Sequence, residues 1–226
     1  MPPKGQGAAI GGDYLMPSGE LKYEIIKSGS QGNCVIVKDM MFDCGIPFSA
    51  IRKKLYKVRY LLITHTHSDH LNAKTFHKII KDFPRIKTIG NWHVSYQVPL
   101  NQIIGSETIL EFKDRTIEAF ECVHDVPTTG FVVRLKDQNL IYATDTNTLE
   151  FAPDIKYDYF FIESNHDEKI IDAIRSTSRK VYGYDAWKGA MRHLSTQKSK
   201  AFYYTHRKDK ESQWIELHKS ERFYSE

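Results

Sequence analysis

Tyr60-Leu61-Leu62-Ile63-Thr64-His65-Thr66-His67-Ser68-Asp69-His70 is the stretch from which the rest of the chain can be read. Its four leading apolar-bodied residues, uninterrupted by charge, fit a buried strand that ends at Thr64. Three histidines and an aspartate then fall within six residues, where the strand gives way to a loop. In such a turn His65 and His67 point at one ion, while Asp69 and His70 turn toward a second. Neutral imidazole and carboxylate are the ligands that Zn²⁺, Mn²⁺ or Fe favour, and a loop leaves a coordination position open. The alternative is a solvated loop with histidines gathered by chance, and the density of ligands weighs against it.

The surrounding chain has 226 residues, enough for one substantial domain or two small ones. Hydrophobic residues make up 41% and charged residues 27%, which excludes a disordered acidic or basic tail protein. No apolar run approaches the roughly 20 residues needed to cross a bilayer. Three cysteines (Cys34, Cys44 and Cys122) argue against a disulfide framework. With no signal pattern at the N-terminus, they point to a reducing, cytoplasmic compartment. Residues 1–20, rich in Gly and Pro, read as a flexible leader, and 21–226 as a single domain.

Within that domain, strands are expected at 21–26, 34–37, 40–42, 60–63, 86–89, 108–112, 116–122, 130–135, 139–143, 159–162 and 213–217. Helical spacing is expected at 47–56, 74–83, 169–175 and 195–206, the last with Ser195 as its cap. Strands in two blocks, with helices between and after them, suggest an α/β layered sandwich.

The pattern His-x-His-x-Asp-His after a strand resembles the signature of the metallo-β-lactamase superfamily. That resemblance implies an αββα sandwich with two divalent metal ions, Zn or Mn, at one edge. It also implies a further His, a bridging Asp and a late His, each at a strand end. His124 in Cys-Val-His-Asp and Asp145 in Tyr-Ala-Thr-Asp supply the first two. For the third, His218 directly follows a strand, whereas His206 falls at a helix C-terminus that suits the helix dipole. His218 is therefore the expected ligand and His206 the fallback. Within the superfamily, Ser28-Gly29-Ser30-Gln31-Gly32-Asn33, Glu163-Ser164-Asn165-His166-Asp167 and His193-Leu194-Ser195 are similar to motifs of the YycJ/WalJ-type branch, itself related to ribonuclease Z. Members of that branch are cytosolic metal-dependent hydrolases associated with DNA exonuclease activity.

The mechanism so implied is phosphodiester hydrolysis by a hydroxide shared at the dinuclear site. The metal set would be His65, His67, Asp69, His70, His124, Asp145 and His218. His193 would act as acid or phosphate contact, with Asp69 and Glu163 as catalytic partners, Glu163 orienting the His193 ring. Asn33, His166 and His193 would face substrate. Asp43 reads equally as a turn residue before Gly45 and as a brace for a ligand histidine. Trp92, His93, Tyr96, Tyr184 and Trp187 read first as core aromatics, and only second as partners on which bases would stack.

Charge supports the polyanion reading. Residues 175–210 hold ten Lys/Arg against two Asp, an excess of +8 in a chain whose net charge is +4. The excess brackets His193 and favours a phosphodiester over a β-lactam or thioester. Nucleic acid is the first expected substrate and a small cyclic nucleotide the second; a non-catalytic binding module is the third reading, which the full ligand set opposes. No membrane association is expected. A homodimer, common in the branch, would complete the pocket.

Overall fold

The computed structural model describes residues 21–177 and 186–220. The expected leader at 1–20 and Tyr184 lie outside the described residues. Twelve strands form two six-stranded sheets. The first runs β1 (Tyr23–Lys27), β2 (Cys34–Val37), β3 (Met40–Phe42), β4 (Tyr60–Ile63), β5 (Lys87–Gly90) and β6 (Gln102–Ile103) in spatial order. The second holds β7 (Ile109–Phe112), β8 (Arg115–Cys122), β9 (Thr128–Leu135), β10 (Asn139–Ala143), β11 (Tyr159–Glu163) and β12 (Gln213–Leu217), also in chain order. Strands β3 to β6 pair parallel, as do β10 to β12. Strand β9 is antiparallel to both β8 and β10, so β8 points the same way as β10, β11 and β12.

Alternation along the strands builds three apolar layers from these two sheets. In β4, Tyr60 and Leu62 face the partner sheet while Leu61 and Ile63 face outward onto helices. In β10, Leu140 and Tyr142 face inward and Ile141 and Ala143 outward. The central layer is closed by Phe42 stacked on Tyr142 at 4.2 Å and Tyr23 edge-on to Phe161 at 5.0 Å. Helix α1 (Phe48–Ile51) and helix α2 (Ala73–Asp82) cover the first sheet, and the helix at Thr196–His206 covers the second. The order of layers is α, β, β, α, as the sequence implies.

The helices follow their caps. Asn72 accepts the Thr75 amide at the start of α2, and Ser195 accepts that of Lys198 at the start of the late helix. The expected helix at 47–56 is shorter. It is helical only over Phe48–Ile51 and resumes as a 3₁₀ turn at Leu55–Lys57. No side chain caps its start, and Lys54, beyond its end, is drawn to Glu24 on β1. Helix α3 (Trp92–Ser95) and strand β6 were not foreseen, because four and two residues show no periodicity. Helices α4 (Glu168–Thr177), α5 (Ala186–Ala190) and α6 (Thr196–His206) complete the chain order.

At the end of the sandwich away from the histidines, Asp39 joins the sheets. Its carboxylate accepts both terminal nitrogens of Arg115, at 2.6 and 3.1 Å, across the β2–β3 and β7–β8 turns. Among the described residues no helix is long and apolar enough to cross a membrane.

Candidate metal centre

The site stands where strands of one polarity end. Asp43 follows β3, His65 follows β4, His124 follows β8, Asp145 follows β10, Glu163 closes β11, and His218 follows β12. In α/β sheets the carboxyl ends of parallel strands are the usual place for a site, since the chain there turns away into loops. Three of these residues adopt the left-handed region: Asp43 at φ 62°, Asp145 at φ 55° and His218 at φ 52°. Short polar side chains and His tolerate that region best, and its cost is borne at sites that need a side chain aimed off the strand axis. His218 is held in place by its amide on Ser28 Oγ (2.7 Å) and its carbonyl on Asn165 Nδ2 (3.0 Å).

The sequence-distant histidines and carboxylates form overlapping groups whose ligand atoms lie within 4.8 Å of one another. His65, His67 and His124 form one, and Asp69, His70 and His218 another. Asp145 lies in two more, with His65 and His70, and with Glu163, His193 and His218. Asp145 thus stands between the two triads. Its Oδ2 is 2.9 Å from His70 Nε2 and its Oδ1 3.7 Å from His218 Nε2. All seven expected ligands are brought together. His206 is not among them: its Nδ1 lies 3.0 Å from the Phe202 carbonyl within α6, and its Nε2 is 3.5 Å from Asp154.

Three of the rings are fixed by a partner on their other nitrogen, whereas His124 Nδ1 is buried without one. His70 Nδ1 meets Asp43 Oδ2 at 2.7 Å, His218 Nδ1 meets Glu163 Oε1 at 2.9 Å, and His65 Nδ1 meets Thr64 Oγ1 at 3.0 Å. That leaves Nε2 of His65 and of His218 buried without a hydrogen bond. Buried polar atoms with no hydrogen-bond partner are costly in an ordinary core. Lone pairs converging in this way, with oriented partners behind them, suit a divalent cation.

The electrostatics agree. Burial pushes the His65 imidazole well below its usual range, helped by His70, which keeps it neutral as a ligand must be. Burial pulls His70 down too, but the charges of Asp145 and Asp43 win and carry it to about 10. The space between those carboxylates favours positive charge. Burial would raise the Glu163 carboxyl, yet the His193 and His218 rings hold it at about 2. The same carboxylate outweighs burial at His193 and raises that ring.

Glu163 is a hub that sequence reading resolved only in part. It was expected to orient His193, and the His193 Nδ1 to Glu163 Oε1 distance is 2.7 Å. The same Oε1 also engages His218, while Oε2 accepts the amides of Thr146 (3.0 Å) and Leu194 (3.3 Å). Asp43 is a brace and a turn residue together, accepting Thr64 N at 2.8 Å besides holding His70. Asn33, expected to face substrate, is buried; its Nδ2 lies 3.1 Å from Gly29 O, 3.3 Å from Asp69 O and 2.7 Å from His70 Nε2. His166 is buried too, its carbonyl receiving the Thr196 amide, and its ring shares the wall of a small cavity of about 210 Å³ with His193. Gly45 explains how two loops close on one another. A Cβ there would sit 1.7 Å from Asp69 O.

Two contacts gave no sequence signal. Asp125 Oδ1 lies 3.1 Å from His124 Nε2 and 3.4 Å from His67 Nε2, and its Oδ2 accepts Arg192 Nη1 at 2.7 Å. Asn91 caps α3 through Val94 N and sends its Nδ2 to Thr64 O, Pro127 O and Thr129 Oγ1. An acidic residue beside a histidine, or an Asn after a strand, is too common to single out.

Comparison with known proteins agrees with this geometry. No family model matches the chain. It is 26% identical over 172 residues to exodeoxyribonuclease YycJ of Bacillus anthracis, covering 67% of this chain and 65% of that protein. It is 27% identical over 177 residues to exodeoxyribonuclease WalJ of Streptococcus pneumoniae (strain D39), covering 66% and 64%. The chain therefore matches just under two thirds of the length of these relatives. Among solved structures, the short form of human tRNase Z superposes with a TM-score of 0.63 at 15% identity, covering 88% of this chain and 93% of that one. The metallo-β-lactamase fold protein YhfI of Bacillus subtilis superposes with a TM-score of 0.63 at 14% identity, covering 88% and 86%. The chain has the metallo-β-lactamase fold, and in sequence it is similar to the YycJ/WalJ exodeoxyribonucleases.

Proposed function

We propose that the chain is a metal-dependent phosphodiester hydrolase, a nuclease acting on DNA. The observation that carries this reading is the convergence of seven candidate ligand side chains from four strand ends, with Nε2 of His65 and of His218 buried there without a hydrogen bond. His65, His67 and His124 would hold one divalent ion, Asp69, His70 and His218 a second, and Asp145 would touch both. Such ions, Zn or Mn, would supply Lewis-acid stabilisation of a phosphoryl group and water activation at neutral pH.

The chain's own residues do the rest. Glu163 orients His193 through Nδ1, which leaves the ring's Nε2 to give a proton to the leaving oxygen. Its carboxylate also raises that ring above the usual imidazole range, which favours its protonated form. Asp43 and Glu163 fix the rotation of His70 and His218, so the ligand set is preorganised rather than gathered on binding. Lys198 shares a cavity wall with His193, and Arg192 reaches Asp125 beside His124. These two cations favour a polyanion there, whereas Lys208 is taken up by Asp158 at the start of β11. The names of the sequence relatives favour DNA among polyanions, and the three cysteines, all free and buried, fit a reducing, cytoplasmic setting.

The test is incubation of Mn²⁺- or Zn²⁺-loaded protein with labelled single-stranded DNA, RNA and cyclic mononucleotides. Hydrolysis of DNA, abolished in Asp69→Ala and reduced about 100-fold in His193→Ala with folding retained, is expected. Turnover confined to cyclic mononucleotides, or undiminished in both variants, contradicts the reading.

A further inference from the structure

Trp92 and Tyr96 are exposed where the chain has reason to bury them. Trp92 is 51% and Tyr96 78% accessible, although Trp92 opens the short helix α3 and Tyr96 is its C-cap, beside a well-formed apolar layer that takes in Val94. They sit at i and i+4, with ring centroids 5.5 Å apart and planes at 76°. His93, between them, is 5.5 Å from the Trp92 ring.

This shelf is tied to the ligand loop. Asn91, the residue before Trp92, sends its amide to the carbonyl of Thr64, which precedes His65. The same amide reaches Pro127 O and Thr129 Oγ1 at the foot of the loop that carries His124. His93 Nδ1 is 3.4 Å from Oγ1 of Thr66, the residue between His65 and His67. The two exposed rings therefore stand beside the candidate metal centre on a rigid mount, not on a free loop.

From this arrangement we infer that Trp92 and Tyr96 form a base-stacking platform for a single-stranded nucleic acid whose scissile phosphate lies at the histidine cluster. The inference rests on the proposed nuclease function and deepens it: the platform takes bases beyond the reacting phosphodiester, so the substrate is a polymer. Aromatic faces accept any base, which suits binding without sequence preference. Two rings on one short helix are far below the area of a stable protein–protein interface, which disfavours a protein partner.

The experiment measures binding apart from catalysis. Metal-free protein is titrated with a fluorescent hexadeoxynucleotide and with a deoxymononucleotide, for the wild type, Trp92→Ala, Tyr96→Ala and Trp92→Phe. Affinity of the wild type for the hexamer should fall about tenfold in Trp92→Ala, recover in Trp92→Phe and fall several-fold in Tyr96→Ala. Mononucleotide binding should change little, because one nucleotide at the cluster does not reach the shelf. Both alanine changes are at the surface, so melting curves should match the wild type. Hexamer affinity unaltered in both alanine variants overturns the platform even if the protein degrades DNA. The platform stands and the nuclease reading falls if binding drops as expected while no DNA is cleaved. A wild-type dimer in sedimentation that dissociates in Trp92→Ala would give the shelf to self-association and overturn the inference.

Discussion

Replacing Glu163 by Gln should damage both the fold and the chemistry, although the two side chains are nearly isosteric. The carboxylate is fully buried and satisfied on every side. Oε1 accepts two imidazole N–H groups, from His193 and His218, and Oε2 accepts two backbone amides, from Thr146 and Leu194. A carboxamide has one acceptor oxygen, so either the rings or the amides must face an NH₂ group. Two buried donors then lose their acceptor, at about 1–3 kcal/mol each, which sums to about 4 kcal/mol. Were the rings to face the NH₂, His193 and His218 would also lose their orientation, and kcat on single-stranded DNA should fall about 100-fold. Urea unfolding of metal-loaded protein reads the first effect and steady-state hydrolysis the second. A double-mutant cycle with His193→Ala should be strongly non-additive, since both changes remove one unit. Stability within 1 kcal/mol of wild type together with kcat within threefold would refute the reasoning.

Other changes separate metal binding from folding. Asp43→Ala removes the acceptor that fixes His70 and should weaken metal affinity 10- to 100-fold in chelator competition; an unchanged affinity contradicts the brace. Gly45→Ala places a Cβ 1.7 Å from Asp69 O, so the two loops must part. That should cost about 3 kcal/mol in urea unfolding, and a loss below 0.5 kcal/mol would show that the loops do not pack as described. Arg115→Ala breaks the clamp on Asp39 at the far end of the sandwich. Since Arg59 still reaches Asp39, the expected loss is about 2 kcal/mol in thermal melts, with DNA hydrolysis at wild-type rate; a selective loss of hydrolysis would contradict the assignment of Arg115 to stability alone.

Much of the sandwich was legible because its strands alternate faces cleanly. Strand β4 reads as buried on both sides, and its histidine-rich continuation marks where chemistry begins. The late histidine of the cluster was legible through topology: His218 follows a strand and joins the group, while His206 ends a helix and stands apart. Less visible were features created only by packing. Nothing in Glu163-Ser164-Asn165 announces that one carboxylate serves two imidazoles from residues 30 and 55 positions away. The short helix α3 is invisible to periodicity, and the aromatics there read first as core, whereas Trp92 and Tyr96 are exposed. The break after Ile51 is not visible in apolar spacing, which ignores an uncapped start.

If the proposed function is right, seven side chains from four strand ends, those of β4, β8, β10 and β12, hold a pair of cations. Elemental analysis of purified protein, after loading with Zn²⁺ or Mn²⁺ and removal of free metal, tests it most directly. Two ions per chain are expected in the wild type, one in His65→Ala/His67→Ala, and one in Asp69→Ala/His218→Ala. A wild-type chain that retains no ion, or the same number in all three proteins, would contradict it.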